Sequence, residues 1–296
     1  MRKFDLASAI AAVAHQPAQE LTLSELVRAY AVASCDGSDS RLKKWTGAYG
    51  DQSAWAITSE QLETAARALL LHGNKPSAVN RDLSALGSSY RWARDKRLVP
   101  RGFKSPTLGV KRFDEGVRRI HVDREQIEAL RARAMSFQDR RFGVFVSLLI
   151  DTGARKSELL ERRWREVDLV RREVLAPTTK SGTPRVLFFS EQTAALIARV
   201  YPKCSGDQLL FEGRVPEQPI GYRKAWLTAT SEVGLPELHM HDLRHVAAAS
   251  LLRAGVTLGV AAQVLGHDPA VLSRRYGHLE TAALRRAQEQ SWKASP

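Results

Sequence analysis

Apolar residues recur at helical spacing through the part of the chain before Pro100. Residues 21–30 follow such a pattern, which begins near a possible helix cap, Thr22. The segment Ser59–Leu71 begins with another possible cap and ends before a His-Gly pair. Residues 75–93 open at a serine and carry one apolar stripe, made of Val79, Leu83, Leu86 and Tyr90. These patterns predict three to five helices in this part of the chain.

A segment rich in proline and glycine follows these helices. Residues 100–109 contain two prolines and two glycines, which is typical of a linker between domains. A chain of 296 residues is also long enough to form two hydrophobic cores. We therefore expect two domains, residues 1–110 and 111–296, with the boundary between residues 105 and 115.

The second part of the chain mixes helical and strand patterns. Residues 168–176 and 185–189 alternate or are β-branched, and a turn with Gly182 and Pro184 separates them, which predicts a β-hairpin. Helices are predicted at Arg124–Met135, Arg141–Thr152, Ser190–Tyr201, Tyr222–Val233, His241–Ala254, Leu258–Leu265, Pro269–Tyr276 and Thr281–Trp292. Because helices dominate and the strands are few, the expected fold is mainly α with a small β-sheet, an α+β class.

The net charge is strongly positive and favours a polyanionic partner. It amounts to +13 at pH 7, with a pI near 10.1, and both halves of the chain contribute to it. Such an excess is expected if each half offers a face to one DNA molecule. The alternative is a generally arginine-rich composition without a nucleic-acid partner.

Cysteine usage and hydropathy indicate a protein of the cytoplasm. Cys35 and Cys204 are the two cysteines, and no Cys/His cluster has zinc spacing, which fits a reducing cytosol without structural disulfides or zinc. Asp5 interrupts an alanine-rich N-terminal run, so we expect a short amphipathic helix there rather than an export signal. No apolar run is long enough to span a bilayer, and we expect no membrane partner.

Several basic residues precede one tyrosine in the second part of the chain. They lie in Thr-Gly-Ala-Arg, in Thr-Lys-Ser-Gly, in His-Asp-Leu-Arg-His and in Leu-Gly-His, and the set is Arg155, Lys180, His241, Arg244, His267 and Tyr276. A tyrosine can attack a phosphodiester without a metal if surrounding cations stabilise the charge on the phosphate and move protons. The set therefore indicates phosphoryl transfer to tyrosine.

The first two basic residues lie at different kinds of turn. Arg155 follows an apolar helix and a glycine turn, where its guanidinium can bind two phosphate oxygens. Glu158, one helical turn later, could orient Arg155 or pair with Arg162. Lys180 lies at the predicted hairpin turn, from which a long side chain can reach a groove or a leaving oxygen.

The later members of the set come from separate helices. His241 and Arg244 are one turn apart and share a helix face, at a helix N-terminus that favours an anion. A metal site is the alternative for this box, made from His239, His241, Asp242 and His245, although the glutamate of a metalloprotease motif is missing. Asp268-Pro269 breaks the helix between His267 and Tyr276, so both can reach one site.

In order and spacing, these motifs resemble the tyrosine recombinases, the phage-integrase family. The resemblance covers residues 150–296 well and residues 20–110 more weakly, where Val-Asn-Arg-Asp-Leu and Tyr-Arg-Trp-Ala look like the family's core-binding domain. It implies an N-terminal helical core-type DNA-binding domain and a C-terminal catalytic domain. Ala154 departs mildly from the family pattern, which commonly has a larger apolar residue there.

The resemblance implies a mechanism for each matched residue. Tyr276 attacks a backbone phosphate, forms a 3′-phosphotyrosyl link and releases a 5′-hydroxyl. Arg155 and Arg244 stabilise the phosphate charge, with His267 assisting. Lys180 is the general acid for the leaving oxygen, and His241 is the acid or base near the tyrosine. No metal, ATP or other cofactor is implied, and the chain has no Walker A motif.

The implied partners are double-stranded DNA recombination sites and three further copies of the chain. The resemblance implies a homotetramer in the synaptic complex, a monomer when free and a nucleoid-associated protein of the bacterial cytoplasm. The helix Thr281–Trp292 would be exchanged between neighbours or pack within its own chain. Two alternatives stay open, a type IB topoisomerase-like relaxase and a catalytically silent DNA-binding regulator. The sequence leaves undecided the target site and the choice between element integration and dimer resolution.

Overall fold

The chain forms two compact units in a computed structural model, Met1–Arg118 and Arg119–Pro296. The structure describes residues 20–35, 37–116, 122–177, 184–203, 206–274, 276–277 and 285. The division falls at residue 118 rather than at residue 110, where the composition places the boundary. Asn80 explains the shift, because its side-chain amide accepts a hydrogen bond from the Phe113 N–H at 3.0 Å and donates one to the Phe113 carbonyl at 2.9 Å.

The regular elements that the structure describes in the first unit are all helices. Its helices are α1 (Leu23–Ser34), α2 (Asp39–Tyr49), α3 (Ser59–Leu71) and α4 (Pro76–Asp95), followed by a 3₁₀ turn at Pro106–Leu108. Capping boxes start α1 and α3, because Thr22 pairs with Glu25 and Thr58 pairs with Gln61. The cap of α3 is therefore Thr58, whereas the sequence pattern predicts Ser59.

The predicted stripe of α4 forms the centre of the first core. Val79, Leu83, Leu86 and Tyr90 are all buried. This helix begins at Pro76 after Lys75, and not at the predicted serine, because proline is preorganised for the first helical position. Helix α2 has a mostly polar sequence with no clear apolar stripe, and it packs through two buried residues, Leu42 and Trp45.

The second unit places helices around a small sheet. Its helices are α5 (Arg124–Met135), α6 (Arg140–Thr152), α7 (Lys156–Leu160), α8 (Glu191–Val200), α9 (Arg223–Glu232), α10 (Asp242–Arg253) and α11 (Leu258–Leu265). Residues 269–274 and 276–277 are also helical. The strands β1 (Val167–Asp168), β2 (Glu173–Ala176) and β3 (Arg185–Phe188) form an antiparallel sheet in the order β1-β2-β3. This confirms the predicted mainly α fold with a small β-sheet.

Helix α6 is the core helix of the second unit, as its apolar sequence predicts. Most of its length from Phe142 to Leu149 is buried, and only Gly143 and Ser147 interrupt the large apolar residues. Its end is held by Asp151, which accepts hydrogen bonds from Ser190 and Thr193 at the start of α8 and pairs with Arg131 at 2.9 Å. A rigid α6 therefore fixes the position of the turn that follows it.

Two sequence predictions on helices lie outside the described residues, the N-terminal amphipathic helix and Thr281–Trp292. The tip of the β2–β3 hairpin, residues 178–183, lies outside them as well. Among the helices that the structure describes, none is both long and apolar enough to cross a membrane.

Candidate active site

Arg155 is positioned by a tight turn between α6 and α7. Helix α6 ends at Gly153, whose φ of 57° is in the left-handed region, and Arg155 then caps the N-terminus of α7. Glu158 accepts hydrogen bonds from the Arg155 backbone N–H at 2.9 Å and from its Nη1 at 2.5 Å. Arg162 instead pairs with Glu166, at 3.3 Å. Glu158 therefore orients Arg155, the first of the two alternatives drawn from the sequence.

Glu158 is a buried carboxylate surrounded by arginines. Besides Arg155, it pairs with Arg185 of β3 at 2.6 Å, and Arg244 lies 3.9 Å away. Burial alone would raise the pKa of Glu158. The hydrogen bond from the Arg155 backbone and the charges of Arg185 and Arg155 outweigh burial and lower that pKa below its usual value. The carboxylate thus stays ionised and holds the cations together.

Arg244 is fully buried and donates hydrogen bonds to three different residues. Its Nε donates to His267 Nε2 at 2.7 Å, its Nη1 to the Gly153 carbonyl at 3.0 Å, and its Nη2 to the Gly266 carbonyl at 3.1 Å. Burial and the charges of two nearby arginines lower the pKa of Arg244 to about 9, against the opposing influence of Glu158 and Tyr276. The guanidinium is therefore still cationic at neutral pH.

His267 is a neutral ring with one free donor position. Its Nε2 accepts the bond from Arg244, so the ring proton is on Nδ1. Burial, followed by the charges of Arg244 and Arg155, lowers the pKa of His267 to about 4. Within the described part of the chain, the buried Nδ1 has no hydrogen-bond partner. The Nδ1 N–H is thus a neutral, buried donor whose hydrogen bond is not made by any described residue.

Tyr276 is buried beside the helix that carries Arg244. Tyr276 belongs to a buried apolar cluster that includes Ala248, Leu252 and Leu272, and its hydroxyl lies 2.6 Å from Nδ1 of His245. His241 is exposed, and its ring meets the His245 ring edge-on, with centroids 5.2 Å apart. The hydrogen-bond partner found for the tyrosine is therefore His245, one helical turn beyond the predicted His241.

The other predictions for this region have different outcomes. Lys180 lies outside the described residues, together with the hairpin tip. Among the residues that the structure does describe, no three His, Cys, Asp or Glu side chains are grouped to hold a metal ion. Asp242, a member of the alternative metal set, accepts a hydrogen bond from the His239 backbone N–H at 2.7 Å, at the start of α10.

Two residues of this cluster are absent from the sequence-based set. Arg185 comes from β3, and its Nη1 also donates to the Val264 carbonyl at 3.0 Å, so it joins the sheet to Glu158 and to α11. No local pattern indicates such a role, because its partners are distant in sequence. His245 had a signal, since it follows His241 by four residues on one helix face, but a metal ligand was the role that this spacing suggested.

Two relatives of this chain are tyrosine recombinases by name. The tyrosine recombinase XerC of Xanthomonas campestris pv. campestris is 27% identical over 252 residues, which are 80% of this chain and 74% of the relative. XerA of Saccharolobus solfataricus is 30% identical over 142 residues, 48% of this chain and 47% of the relative.

Solved structures have the same fold. The Tn1549 transposon integrase in complex with a circular intermediate DNA has a TM-score of 0.71 at 15% identity, covering 91% of this chain and 99% of that one. A lambda integrase tetramer bound to a Holliday junction has a TM-score of 0.63 at 16% identity, covering 92% of this chain and 87% of that one.

The profile described as the Phage integrase family matches residues 121–282, more than half of the chain. The chain therefore belongs to the phage integrase family of tyrosine site-specific recombinases.

Proposed function

We propose that this recombinase cuts and rejoins double-stranded DNA with Tyr276 as the nucleophile, through a 3′-phosphotyrosyl link and a free 5′-hydroxyl. The observation that carries the proposal is the contact of the Tyr276 hydroxyl with a histidine of α10, the helix that also holds the buried Arg244. The cations supply the charge stabilisation that phosphoryl transfer needs. The link conserves the phosphodiester energy, so rejoining requires no ATP.

The arginines and His267 bind the non-bridging oxygens of the phosphate in this proposal. Arg155 is partly exposed and can offer its guanidinium to the DNA, while Arg244 forms the buried back of the site. His267 adds the N–H of its Nδ1, which is a neutral donor at physiological pH because the pKa of the ring is about 4. Charge and hydrogen bonding thus converge on the phosphate.

Two further roles rest on the family resemblance. Lys180 is proposed as the general acid that protonates the leaving 5′-oxygen, and His241 as an acid or base near the tyrosine. The exposed ring of His241 is consistent with contact to DNA. Both roles are testable by substitution, with cleavage as the readout.

The proposed partners are double-stranded recombination sites and further copies of the chain. The net charge of +13 supports a DNA partner, and the solved relatives include a transposon integrase with DNA and a lambda integrase tetramer on a Holliday junction. We place four protomers in the synaptic complex, on the nucleoid, with an N-terminal core-type DNA-binding domain and a C-terminal catalytic domain. Exchange of the helix Thr281–Trp292 between protomers belongs to this proposal.

A suicide substrate tests the nucleophile. Duplexes enriched by binding from a randomised pool would be nicked beside the cleavage position, so that the covalent complex is trapped. We expect an adduct with the wild-type chain and none with Tyr276→Phe. Tyr222→Phe is the matched control, because Tyr222 is a buried core tyrosine whose hydroxyl has no partner among the described residues. An adduct with Tyr276→Phe would refute the assignment.

Strand exchange distinguishes recombination from relaxation. Two labelled duplexes that carry the enriched sequence should yield joined products of both labels. Relaxation of supercoiled DNA without exchanged products would instead indicate the topoisomerase-like alternative. Binding without any adduct would indicate the catalytically silent regulator.

A further inference from the structure

The geometry points to His245 as the catalytic base that takes the phenolic proton of Tyr276, an inference that rests on the proposed function. The Tyr276 hydroxyl and His245 Nδ1 are 2.6 Å apart, close enough for direct proton transfer. A neutral histidine can accept at Nδ1 when its proton is on Nε2, so the phenol donates to the ring. The nucleophile thus already contacts a base in the absence of DNA.

The other described histidines of the site are poorly placed for this step. His267 uses its Nε2 to accept the Arg244 bond and has a proton on Nδ1, so it acts as a donor. Its low pKa, about 4, also makes it a weak base. In this inference His245 takes the role near the tyrosine that the family resemblance gives to His241, whose exposed ring packs edge-on against the His245 ring. Proton transfer to His245 needs no rearrangement.

Packing keeps Tyr276 and His245 together. Tyr276 is buried in one apolar cluster with Ala248 and Leu252, which lie on the same helix as His245. Ala248 and Leu252 are three and seven residues beyond His245, so they form one face with it. The tyrosine thus shares an apolar cluster with α10 while its hydroxyl contacts the imidazole of His245 on the same helix.

One proton moves at each end of the proposed reaction. The Tyr276 O–H bond breaks and its proton moves to His245 Nδ1, while the tyrosine oxygen forms a bond to phosphorus. The bond from phosphorus to the 5′-oxygen breaks, and that oxygen takes a proton from the separate acid, for which Lys180 is proposed. In rejoining, the 5′-hydroxyl attacks phosphorus and returns its proton to the same acid, which the cleavage step left deprotonated, while the departing tyrosine oxygen recovers its proton from His245.

Single-turnover cleavage of the nicked, enriched duplexes tests the inference. His245→Ala should slow adduct formation on the order of 100-fold. His245→Asn places an amide oxygen near the position of Nδ1, keeps an acceptor for the phenol and cannot carry the proton, so it should be similarly slow. His239→Asn is the matched control, because His239 is an exposed histidine just before the same helix, and it should cleave at the wild-type rate. Unfolding midpoints of all variants exclude loss of the fold.

Two results would overturn the base assignment. A wild-type rate for His245→Asn would mean that the histidine only holds the tyrosine, and a wild-type rate for His245→Ala would remove it from the reaction. A duplex with sulfur in place of the leaving 5′-oxygen separates the two ends of the reaction, because a thiolate leaves without an acid. His245→Ala should stay slow on it, and full rescue would place His245 at the leaving group. If the wild-type chain forms no adduct, the proposed function fails together with this inference.

A readout without DNA checks the contact itself. NMR of the ring nitrogens in ¹⁵N-histidine-labelled protein should show His245 with its proton on Nε2 and an accepting Nδ1. Tyr276→Phe should shift the Nδ1 signal, while Tyr222→Phe should leave it in place. An Nδ1 signal that does not respond to Tyr276→Phe would contradict the hydrogen bond.

Discussion

A single carboxylate, Glu158, holds most of the cations of the site in place. It is nearly inaccessible to solvent, pairs with Arg155 and Arg185, and has Arg244 at 3.9 Å. Three guanidinium groups this close would repel one another without it. The order of the site therefore depends on a residue that does not itself contact the phosphate in the proposed mechanism.

Neutralising Glu158 should damage both stability and cleavage. We expect Glu158→Gln to lower the free energy of unfolding by about 3 kcal/mol, because buried arginines lose their counter-charge. Adduct formation should fall on the order of 100-fold as Arg155 loses its orientation. Urea unfolding and suicide-substrate cleavage measure the two effects, with Glu161→Gln, an exposed residue of the same region, as the control. Unchanged cleavage by Glu158→Gln would show that the arginines orient themselves.

The pKa of His267 predicts a pH dependence of stability. The ring has a pKa of about 4 in the folded chain, below the value near 6.5 of an unfolded one. As the pH falls from about 6.5 towards 4, the unfolded state binds the proton first, so folded stability is lost over that range. His267→Gln keeps an acceptor for Arg244 and cannot titrate.

Urea unfolding at pH 7 and pH 5 checks this prediction. The wild-type chain should lose more stability between the two values than His267→Gln does. His72→Asn changes an exposed histidine of the first unit and should behave like the wild-type chain. Equal pH dependence in the wild-type chain and His267→Gln would contradict the low pKa.

At the scale of elements, the site depends on the close approach of α6, α10 and α11 at Gly153. Gly153 has a left-handed φ of 57°, and its carbonyl accepts the Arg244 bond. A Cβ at this position would lie 2.6 Å from Leu265 Cδ2 and 2.9 Å from Ala247 Cβ. Glycine is thus required both by the backbone conformation and by the neighbouring helices.

Replacing Gly153 with alanine should therefore cost more than backbone strain alone. We expect Gly153→Ala to lose about 3 kcal/mol of unfolding free energy, from left-handed strain and overpacking together. Gly73→Ala is the control, since Gly73 also has a positive φ but has open space around it, and it should lose about 1 kcal/mol. Similar losses for both variants would show that the helices yield to the added methyl group.

The elements themselves were largely predictable from local sequence. Helix α6 follows from an apolar run, and the β2–β3 pairing follows from two alternating segments around a Gly/Pro turn. Exact caps were less predictable, because Thr58 and Ser59 are both good cap residues and the choice depends on Gln61. Helix α2 lacked a periodic stripe, since only Leu42 and Trp45 of its residues are buried.

The contacts inside the site were less predictable than the elements. Arg155, Arg244, His267 and Tyr276 could be selected from motifs, but their partners depend on how distant elements pack. Arg185 reaches Glu158 across 27 residues and Val264 across 79, which no local pattern encodes. The contact of Tyr276 with His245 was equally hard to predict, because it depends on where the helical residues 269–274 and 276–277 pack.

At the scale of the whole molecule, the chain consists of two units with separate hydrophobic cores. Every described member of the predicted catalytic set lies in the second unit. The position of the unit boundary was harder to predict, because residues 111–116 follow the segment that is rich in proline and glycine, yet they are tied to α4 through Asn80. Composition locates a connection, while side-chain hydrogen bonds decide which unit it joins.

Tyr276 is the residue that we propose becomes linked to DNA. The most direct test of this proposal is mass spectrometry of the adduct trapped on a nicked duplex, after digestion of the protein and removal of most of the DNA. We expect a nucleotide attached through a 3′-phosphate to the peptide that contains Tyr276, and a free 5′-hydroxyl on the released strand. A nucleotide on any other residue, or a 5′-phosphate linkage, would contradict the proposal.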